Sequence, residues 1–407
     1  MHVLFVEPAF PRNQREFVRA LAEVGARVTG IGEAPKESLD GELREWLDAY
    51  EQVPSVTHEP SLLETVRRIQ DREWVDRIEA TVEAHIMPVA HVREATEIPG
   101  TSTRTAYLCR DKPAMKDALR EAGVPCAQST GASSLEEGRD FAERVGFPLI
   151  LKPRDAAGAS GTYRADDLQS LESIMLEVGL DRGAPTAIEE FIEGHEGFYD
   201  TLCIEGEMVH DFVCHYYPGV LEAMRTRWIS PQIICSNRVE NSVYDEVKEL
   251  GRRVVKELGI GTSATHMEWF FGPKGLKFSE IGCRPPGVRV WDLYGAGNDL
   301  DLYVEWAKAI VHGATESKAS RACATGMIAL RPDRDGRIET YDGVEAVQQR
   351  FGRWILDSHF PPIGTPTQPA EAGYMANAWM RLRHRDDDEL RSMLDQIGET
   401  IKVHAAE

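Results

Sequence analysis

The chain has 407 residues, 42% hydrophobic and 28% charged, so it can bury a large core and is expected to fold into about two or three domains. Its net charge of −21 argues against a nucleic-acid partner, because phosphate backbones require a basic surface. The cysteines show no CxxC spacing, which argues against a zinc site or a disulfide scaffold. No basic leader and no apolar run of about 18 residues occurs. These features predict a cytoplasmic protein with no membrane partner.

The first elements predict an open α/β sheet. Residues 2–6 form an apolar run typical of a buried parallel strand, and residues 27–31 have the pattern of a second strand. An amphipathic helical pattern lies between them, so the β-loop-α-β order favours a Rossmann-like sheet with a right-handed crossover. The loop 7–14 stands where such sheets bind ligands, but it lacks the GxGxxG fingerprint, and a dinucleotide site is not predicted.

The rest of the chain predicts a larger α/β unit and a smaller α+β unit. Domain boundaries are expected near residues 105 and 315, which gives domains over 1–105, 106–315 and 316–407. The turn signals and periodicities predict helices over 111–123, 243–258 and 300–312, strands over 147–153 and 186–192, and hairpins over 199–213 and 266–282.

The second hairpin, HMEWFFGPKGLKFSEIGCRPPG over residues 266–287, carries two acids whose relation depends on register. A two-residue loop would put Glu268 and Glu280 on opposite faces, whereas an odd loop with Gly275 at positive φ would pair them. Paired carboxylates repel unless a cation lies between them, and Mg²⁺ takes one or two carboxylates plus phosphate oxygens. The segment predicts either a magnesium site or a solvated hairpin whose acids never meet.

Four segments, in this order, resemble the ATP-grasp superfamily, in particular its carboxylate–amine ligases and its carbamoyl-phosphate-synthase-like and biotin-carboxylase-like members. The first is RDKPAMKDALREAGVPCA, residues 110–127, in which Lys112 matches the family's phosphate-contacting lysine. The second is FPLILKPRDAAGASGTYR, residues 147–164, in which Lys152 matches the lysine that reaches adenine and the α-phosphate. The resemblance implies an ATP-grasp fold with an N-terminal Rossmann-like pre-ATP-grasp domain and a lid over about residues 115–185.

The resemblance also implies how the nucleotide is held. The loop after Lys152 matches the small-residue loop that covers the β- and γ-phosphates, and the third segment, AIEEFIEGHE over residues 187–196, resembles the hinge strand that binds adenine. The main chains of Glu190 and Ile192 would contact the base edge, and Glu196 would accept from the ribose hydroxyls. The full set of implied ATP-binding residues is Lys112, Lys152, Gly158, Ser160, Gly161, Glu189, Glu190, Phe191, Ile192 and Glu196.

The hairpin is the fourth segment. Glu268 and Glu280 match the carboxylates that hold Mg²⁺, for which Mn²⁺ is an alternative, and Arg284 matches the arginine that faces the acyl phosphate. Arg289 is a second catalytic candidate. Two departures stand out: Gly282 replaces an asparagine that many members use as a third metal ligand, and Val288 replaces the glutamate base of biotin carboxylases. With no biotin-acceptor segment present either, biotin carboxylation is disfavoured.

The resemblance implies an ADP-forming carbon–nitrogen ligase that activates a carboxylate as an acyl phosphate and joins it to an amine, as in amino acid or dipeptide-type ligation. A different ATP-grasp reaction (a purine-type ligase, a carboxylase or a phosphotransferase) and a non-catalytic nucleotide-binding protein remain as alternatives. The expected partners are a small-molecule carboxylate and amine, and a homodimer stays open because relatives commonly dimerise. Candidate substrate contacts are His215, Arg225, Arg227 and His266.

Overall fold

The structure, a computed structural model, describes residues 1–154, 161–370 and 377–406. The predicted phosphate-loop residues Gly158 and Ser160 lie outside these ranges. Within them, every helix is too short or too polar to cross a lipid bilayer. The described residues build four β-sheets, and three of these sheets surround one cavity.

The N-terminal residues form a parallel sheet flanked by helices, as the sequence predicts. Its elements are β1 (His2–Val6), α1 (Gln14–Glu23), β2 (Arg27–Gly32), α2 (Gly41–Trp46), β3 (Ala49–Gln52), α3 (Glu59–Gln70), β4 (Arg77–Glu79), α4 (Glu83–Thr96) and α5 (Thr103–Leu108). The strand order is β3-β2-β1-β4, with Val3 of β1 opposite Val28 and Arg77. The loops after β1 and β4 therefore lie together at the carboxyl edge of the sheet, where open α/β sheets bind ligands.

The next unit is an antiparallel sheet with three helices. Its elements are α6 (Lys112–Glu121), β5 (Ser129–Ala132), α7 (Leu135–Val145), β6 (Leu149–Pro153), β7 (Tyr163–Ala165), α8 (Leu168–Glu177) and β8 (Thr186–Glu190), with strand order β5-β8-β6-β7. Helix α6 begins where the sequence predicts, because the Asp111 side chain accepts a hydrogen bond of 3.0 Å from the Ala114 N–H. The chain turns away at Gly123, whose φ of 71° favours glycine.

The third unit supplies the long strands of the molecule. Its elements are β9 (His195–Ile204), β10 (Glu207–Tyr217), α9 (Val220–Arg225), β11 (Gln232–Cys235), α10 (Asp245–Leu258), β12 (Ser263–Gly272), β13 (Gly275–Gly282), α11 (Val290–Asn298) and α12 (Leu302–His312). Strand β9 lies between β12 and β10, with Glu268 opposite Phe198 on one side of it. Since β12 alternates between buried Met267 and Trp269 on one face and His266 and Glu268 on the other, the second face is available to a site.

The C-terminal strands extend the same sheet. The elements are β14 (Ala324–Leu330), β15 (Arg337–Asp342), α13 (Val344–Phe351), β16 (Ile355–His359), β17 (Ala378–His384), α14 (Asp387–Thr400) and β18 (Lys402–Ala406). Strand β14 pairs antiparallel with β11, which gives an eight-stranded sheet of order β13-β12-β9-β10-β11-β14-β17-β16. The C-terminal unit thus shares a sheet with the preceding one, and β15 and β18 form a separate pair.

Aromatic packing fixes the N-terminal unit against α11 and α12 of the third unit. Phe17 of α1 is buried, and its ring lies 5.2 Å from Trp291, 4.9 Å from Tyr303 and 5.0 Å from Trp306. Edge-to-face pairs of this kind add to the free energy gained by burying the rings. Because Phe17 lies in the first turn of α1, this cluster anchors the end of the loop 7–14, whose residues 11–14 line the same cavity as Glu268.

Candidate active site

The three sheets enclose a cavity of about 710 Å³. Polar and charged side chains from all three units line it, with an apolar wall supplied mainly by α9 and the loop after β13. The lining includes Arg12, Asn13, Gln14, Thr81, Glu83, Lys112, Lys116, Lys152, Glu189, Glu196, Leu221, Met224, His266, Glu268, Glu280, Arg284, Val288 and Arg289. The predicted residues Glu190, Phe191 and Ile192 also border it.

The two acids of the hairpin meet, although not by the expected loop. Strands β12 and β13 are joined by a two-residue loop, which by itself would put the acids on opposite faces. The register shifts beside Glu268, so that Glu268 pairs with Glu280 while Trp269 pairs with Phe278, and Ser279 is the extra residue. This β-bulge restores the pairing that an odd loop would have given. Both carboxylates therefore face the cavity, and the alternative of a solvated hairpin with separated acids does not hold.

Three lysines converge on two carboxylates beside this pair. Lys112 Nζ lies 3.5 Å and Lys152 Nζ 3.6 Å from Glu280 Oε2. Lys152 Nζ also lies 2.9 Å from Glu189 Oε2, and Lys116 Nζ lies 2.6 Å from the same oxygen. Lys116 is absent from the predicted set. The available signal was its spacing, because residues i and i+4 of a helix share a face and Lys112 already faces the cavity.

Burial and charge shift the pKa values of this group. Burial raises the pKa of Glu189, but the attraction of Lys116 and then Lys152 outweighs it and lowers the value to about 2. Burial lowers the pKa of Lys116 to about 8, against the pull of Glu189. Glu280 has a lowered pKa because Lys112 and Lys152 overcome the cost of burial. The carboxylates are thus ionised at neutral pH.

The hinge strand presents one side chain and part of its backbone to the cavity. Glu189 is 5% exposed, and its Oε1 has no hydrogen-bond partner among the described residues. The Glu190 N–H donates to the Gln128 carbonyl at 2.8 Å, so this N–H is already engaged within the protein. The Glu190 carboxylate pairs with Lys274 at the surface. Gly161 has a φ of 68°, a conformation that favours glycine.

Glu196 lies between the hinge strand and α9. Its Oε2 accepts a hydrogen bond of 2.6 Å from the Val220 N–H at the start of α9. Burial raises the pKa of Glu196, and repulsion from Glu268 raises it further. The structure therefore brings Glu196 to the same cavity as the hairpin acids, with one oxygen already engaged.

An arginine that follows β13 of the large sheet and an acid at the start of α4, beside the N-terminal sheet, meet at the other end of the cavity. Arg284 Nε donates to Glu83 Oε2 at 2.8 Å, and Arg284 Nη1 donates to the Pro285 carbonyl at 2.9 Å. A Cβ at Gly282 would lie 3.2 Å from Glu83 Oε2, so a larger residue at this position would require Glu83 to shift. Sequence reasoning missed Glu83, which carries no local signal and stands 201 positions before Arg284.

His266 is held by a buried acid. Its Nδ1 lies 2.7 Å from Asp200 Oδ1, and the other Asp200 oxygen accepts from the Tyr294 hydroxyl at 2.5 Å. The His266 Nε2 lies 3.7 Å from Glu268 Oε1 on the cavity side. Burial lowers the pKa of His266, but Asp200 outweighs burial and raises it to about 9. His266 therefore faces the cavity as predicted, as a cation at neutral pH.

The other three predicted substrate contacts do not line the cavity. His215 lies on the opposite face of β10, where it hydrogen-bonds to His195 and Tyr244 at 2.8 Å each, and alternation turns its neighbour Tyr216 to the cavity instead. Arg225 is exposed at the end of α9, and Arg227 pairs with Asp335 at 2.5 Å.

Arg289, the second catalytic candidate, lines the rim of the cavity. Its side chain is 52% exposed and pairs with Asp292 at 2.5 Å. Its φ is 58° and that of Val288 is 44°, both in the left-handed region that L residues rarely adopt. Strained backbone of this kind is often found at ligand-binding loops. We therefore interpret the left-handed conformation of Val288 and Arg289 as part of the candidate site.

The hairpin acids fit a divalent cation. Among the described residues, no three His, Cys, Asp or Glu side chains form a complete metal shell. Two facing carboxylates beside a cavity nevertheless suit Mg²⁺, which takes one or two carboxylates and fills its other positions with phosphate oxygens and water. Glu268 and Glu280 are the residues that would hold it.

Comparisons with known proteins agree with this geometry. Residues 117–296 match the family model for the ATP-grasp domain. Alanine–anticapsin ligase of Bacillus subtilis (strain 168) is 28% identical over 235 residues, which cover 52% of this chain and 48% of that protein, so the match spans about half the relative's length. An L-arginine-specific L-amino acid ligase of Bacillus subtilis is 28% identical over 339 residues, 82% of this chain and 81% of that protein. An L-amino acid ligase structure from Bacillus licheniformis shares the fold, with a TM-score of 0.79 at 17% identity over 100% of this chain and 99% of that one.

Proposed function

This chain carries an ATP-grasp domain, and we propose that it is an ADP-forming ligase that activates a small carboxylic acid as an acyl phosphate and joins it to an amine. The observation that carries the proposal is the convergence of Lys112 and Lys152 on Glu280, directly opposite Glu268, with Arg284 in the same cavity. The amino acid ligases among the similar proteins support amino acids as the substrate class.

Adenine would bind at the hinge strand. Glu189 Oε1 is a buried acceptor with no hydrogen-bond partner in the part of the chain that the structure describes, and a ligand donor such as the adenine amino group would recover the free energy that an unpaired acceptor costs. Glu190 and Ile192 border the same cavity, where their main chains would contact the base edge, and Glu196 would accept from the ribose. The triphosphate would then extend towards Lys112, Lys152 and the hairpin.

The first chemical step brings two anions together, so the protein must mainly position them and neutralise their charge. The substrate carboxylate attacks the γ-phosphorus, the bond from the γ-phosphorus to the β–γ bridging oxygen breaks, and ADP leaves. Lys112 and Lys152 would hold the phosphate oxygens, and Arg284 would stabilise the transferring group with its planar fork of donors. Mg²⁺ (or Mn²⁺) held by Glu268 and Glu280 would supply further positive charge to the phosphates when bound.

In the second step a neutral amine attacks the acyl carbon, the carbon–nitrogen bond forms, and the bond from the acyl carbon to the phosphate oxygen breaks, with the proton lost by the amine leaving on the released phosphate. His266 faces this end of the cavity with Asp200 fixing its ring, so its cationic edge can stabilise the oxyanion of the tetrahedral intermediate. The aliphatic side chains of Leu221, Met224 and Val288 line the same region and help exclude water, which would hydrolyse the acyl phosphate.

The test is an ADP-release screen with Mg²⁺, ATP and pairs of amino acids, followed by mass spectrometry of the products. We expect ADP release that depends on the acid and a product with the mass of an amide. Arg225→Ala, a change at an exposed arginine next to the cavity, serves as a control with normal turnover. A phosphorylated alcohol as the product, or bicarbonate-dependent turnover without amide, would contradict the proposal.

A further inference from the structure

Lys116 is a buried lysine to which the mechanism above gives no role. It is 1% exposed, and it lies one helical turn after Lys112 on the cavity face of α6. Its Nζ lies 2.6 Å from Glu189 Oε2, but within the described residues it makes no hydrogen bond of regular geometry. A fully buried ammonium is costly, so its presence at the nucleotide end of the cavity needs a physical reason.

The charges around Glu189 suggest that reason. Lys116 and Lys152 both pair with one oxygen of Glu189, and Lys152 also faces Glu280. Without Lys116, Lys152 would be the remaining cation within 4 Å of the buried Glu189 among the residues that the structure describes. Removing one partner of a buried pair is strongly unfavourable, so Lys152 would be held at Glu189.

We propose that Lys116 is a positioning residue: it neutralises Glu189, so that Lys152 can direct its charge to the phosphates of the nucleotide. The inference rests on the proposed binding of ATP in this cavity and adds a residue that touches neither phosphate nor metal. The pKa of Lys116, which burial lowers to about 8, still leaves most of the side chain charged at neutral pH.

A direct contact between Lys116 and the base is the competing explanation, and the two differ in which part of the nucleotide they affect. A base contact contributes equally to adenosine, ADP and ATP. A positioning role acts through Lys152. Removing Lys116 would therefore affect only the additional affinity that the phosphates contribute. The quantity to measure is therefore the ratio of the adenosine Kd to the ATP Kd, here named the phosphate increment.

The experiment is calorimetric titration of the full chain with adenosine, ADP and ATP, with adenosine measured by competition where it binds weakly. We expect Lys116→Met to reduce the phosphate increment about tenfold or more while the adenosine Kd changes less than about twofold. Lys116→Arg keeps the charge and should recover most of the increment. Lys308→Met is the matched control, because Lys308 is also mostly buried and paired with a buried acid, Glu305, outside the cavity.

A rescue variant keeps the test decisive if Lys116→Met folds poorly. Glu189→Gln removes the charge that Lys116 offsets, so the double variant Lys116→Met/Glu189→Gln should regain the phosphate increment even if its adenosine affinity is low. An equal loss for adenosine and ATP, or a double variant without rescue, would overturn the inference. If wild type binds ATP and Lys116→Met keeps its increment, this inference alone fails. A wild type that does not bind ATP overturns the proposed function as well.

Discussion

The two ends of the cavity differ in how their residues are brought together. At the nucleotide end, Lys112, Lys152 and Glu189 come from short motifs whose residue types and order already indicate phosphate and base binding. At the acceptor end, Glu83 and Arg284 come from positions 201 residues apart and meet only through packing of the N-terminal sheet. The difference teaches that residues close together in the chain can be recognised from a local motif, whereas the Glu83–Arg284 pair depends on packing between separate units of the fold.

The hairpin of β12 and β13 lies between these two ends, and it combines a signal in the sequence with a contact that depends on the fold. Its acids are visible in the sequence, but their pairing depends on the bulge at Ser279.

The most severe test of the nucleotide end is Glu280→Gln, which keeps the shape of the side chain and removes its charge. We expect turnover to fall by about 10²-fold or more, the scale for removing a group that stabilises transition-state charge. Phosphate release with the preferred substrate pair measures it.

Glu207→Gln, an exposed acid at the start of β10, is the control for Glu280→Gln and should retain normal turnover. Circular dichroism should show both variants folded. Normal turnover in Glu280→Gln would remove this carboxylate from the mechanism and would make the convergence of Lys112 and Lys152 a structural feature only.

The next effect concerns the support of His266 between the two ends. Asp200 raises the His266 pKa from 6.5 to about 9, so this pairing stabilises the fold fully below pH 6.5 and the contribution is lost as the pH rises through 9. We expect Asp200→Asn to lower the free energy of unfolding at pH 6 by at most about 3 kcal/mol, with a smaller loss near pH 9. Urea unfolding across this pH range measures the difference.

The same Asp200→Asn change made in a His266→Gln background provides the control. There the loss of stability should no longer vary between pH 6.5 and 9, because the titrating partner is absent. A loss that grows with pH in the His266 background would contradict the assigned direction of the pKa shift.

A smaller effect probes the junction of the domains. Gly282→Asn introduces a side chain whose Cβ would lie 3.2 Å from Glu83 Oε2, so it should displace the Glu83–Arg284 pair. We expect kcat/KM for the acid substrate to fall about tenfold while the Kd of ATP changes less than about twofold. Gly261→Ala, which meets no atom within 4 Å, is the matched control and should behave as wild type. Equal losses in kcat/KM for the acid substrate and in affinity for ATP would show that the two ends of the cavity do not act separately.

The smallest expected effect concerns the arginines that the sequence placed at the acceptor end. Arg225 is exposed, and Arg227 pairs with Asp335 away from the cavity. Replacing either arginine by alanine should change kcat/KM by less than about twofold, because neither residue lines the cavity. A surface ion pair also contributes little to the free energy of unfolding. A tenfold rise in KM for one substrate would instead show that α9 moves its arginine into the cavity during the reaction.

Sequence alone determined the parts of this protein that depend on local patterns. Alternation placed His266 and Glu268 on one face of β12, the Asp111 cap set the start of α6, and the motif order indicated the ATP-grasp fold. Helix periodicity also contained the signal for Lys116, because i and i+4 positions share a face.

Tertiary structure decided what depends on register and long-range packing. A one-residue bulge turned Glu280 towards Glu268, since side chains alternate with a period of two and one extra residue reverses the face. The same alternation turned His215 away from the cavity and left Tyr216 facing it. Packing of Phe17 against α11 and α12 helped to bring Glu83 to Arg284, and no local pattern encodes a contact between such distant segments.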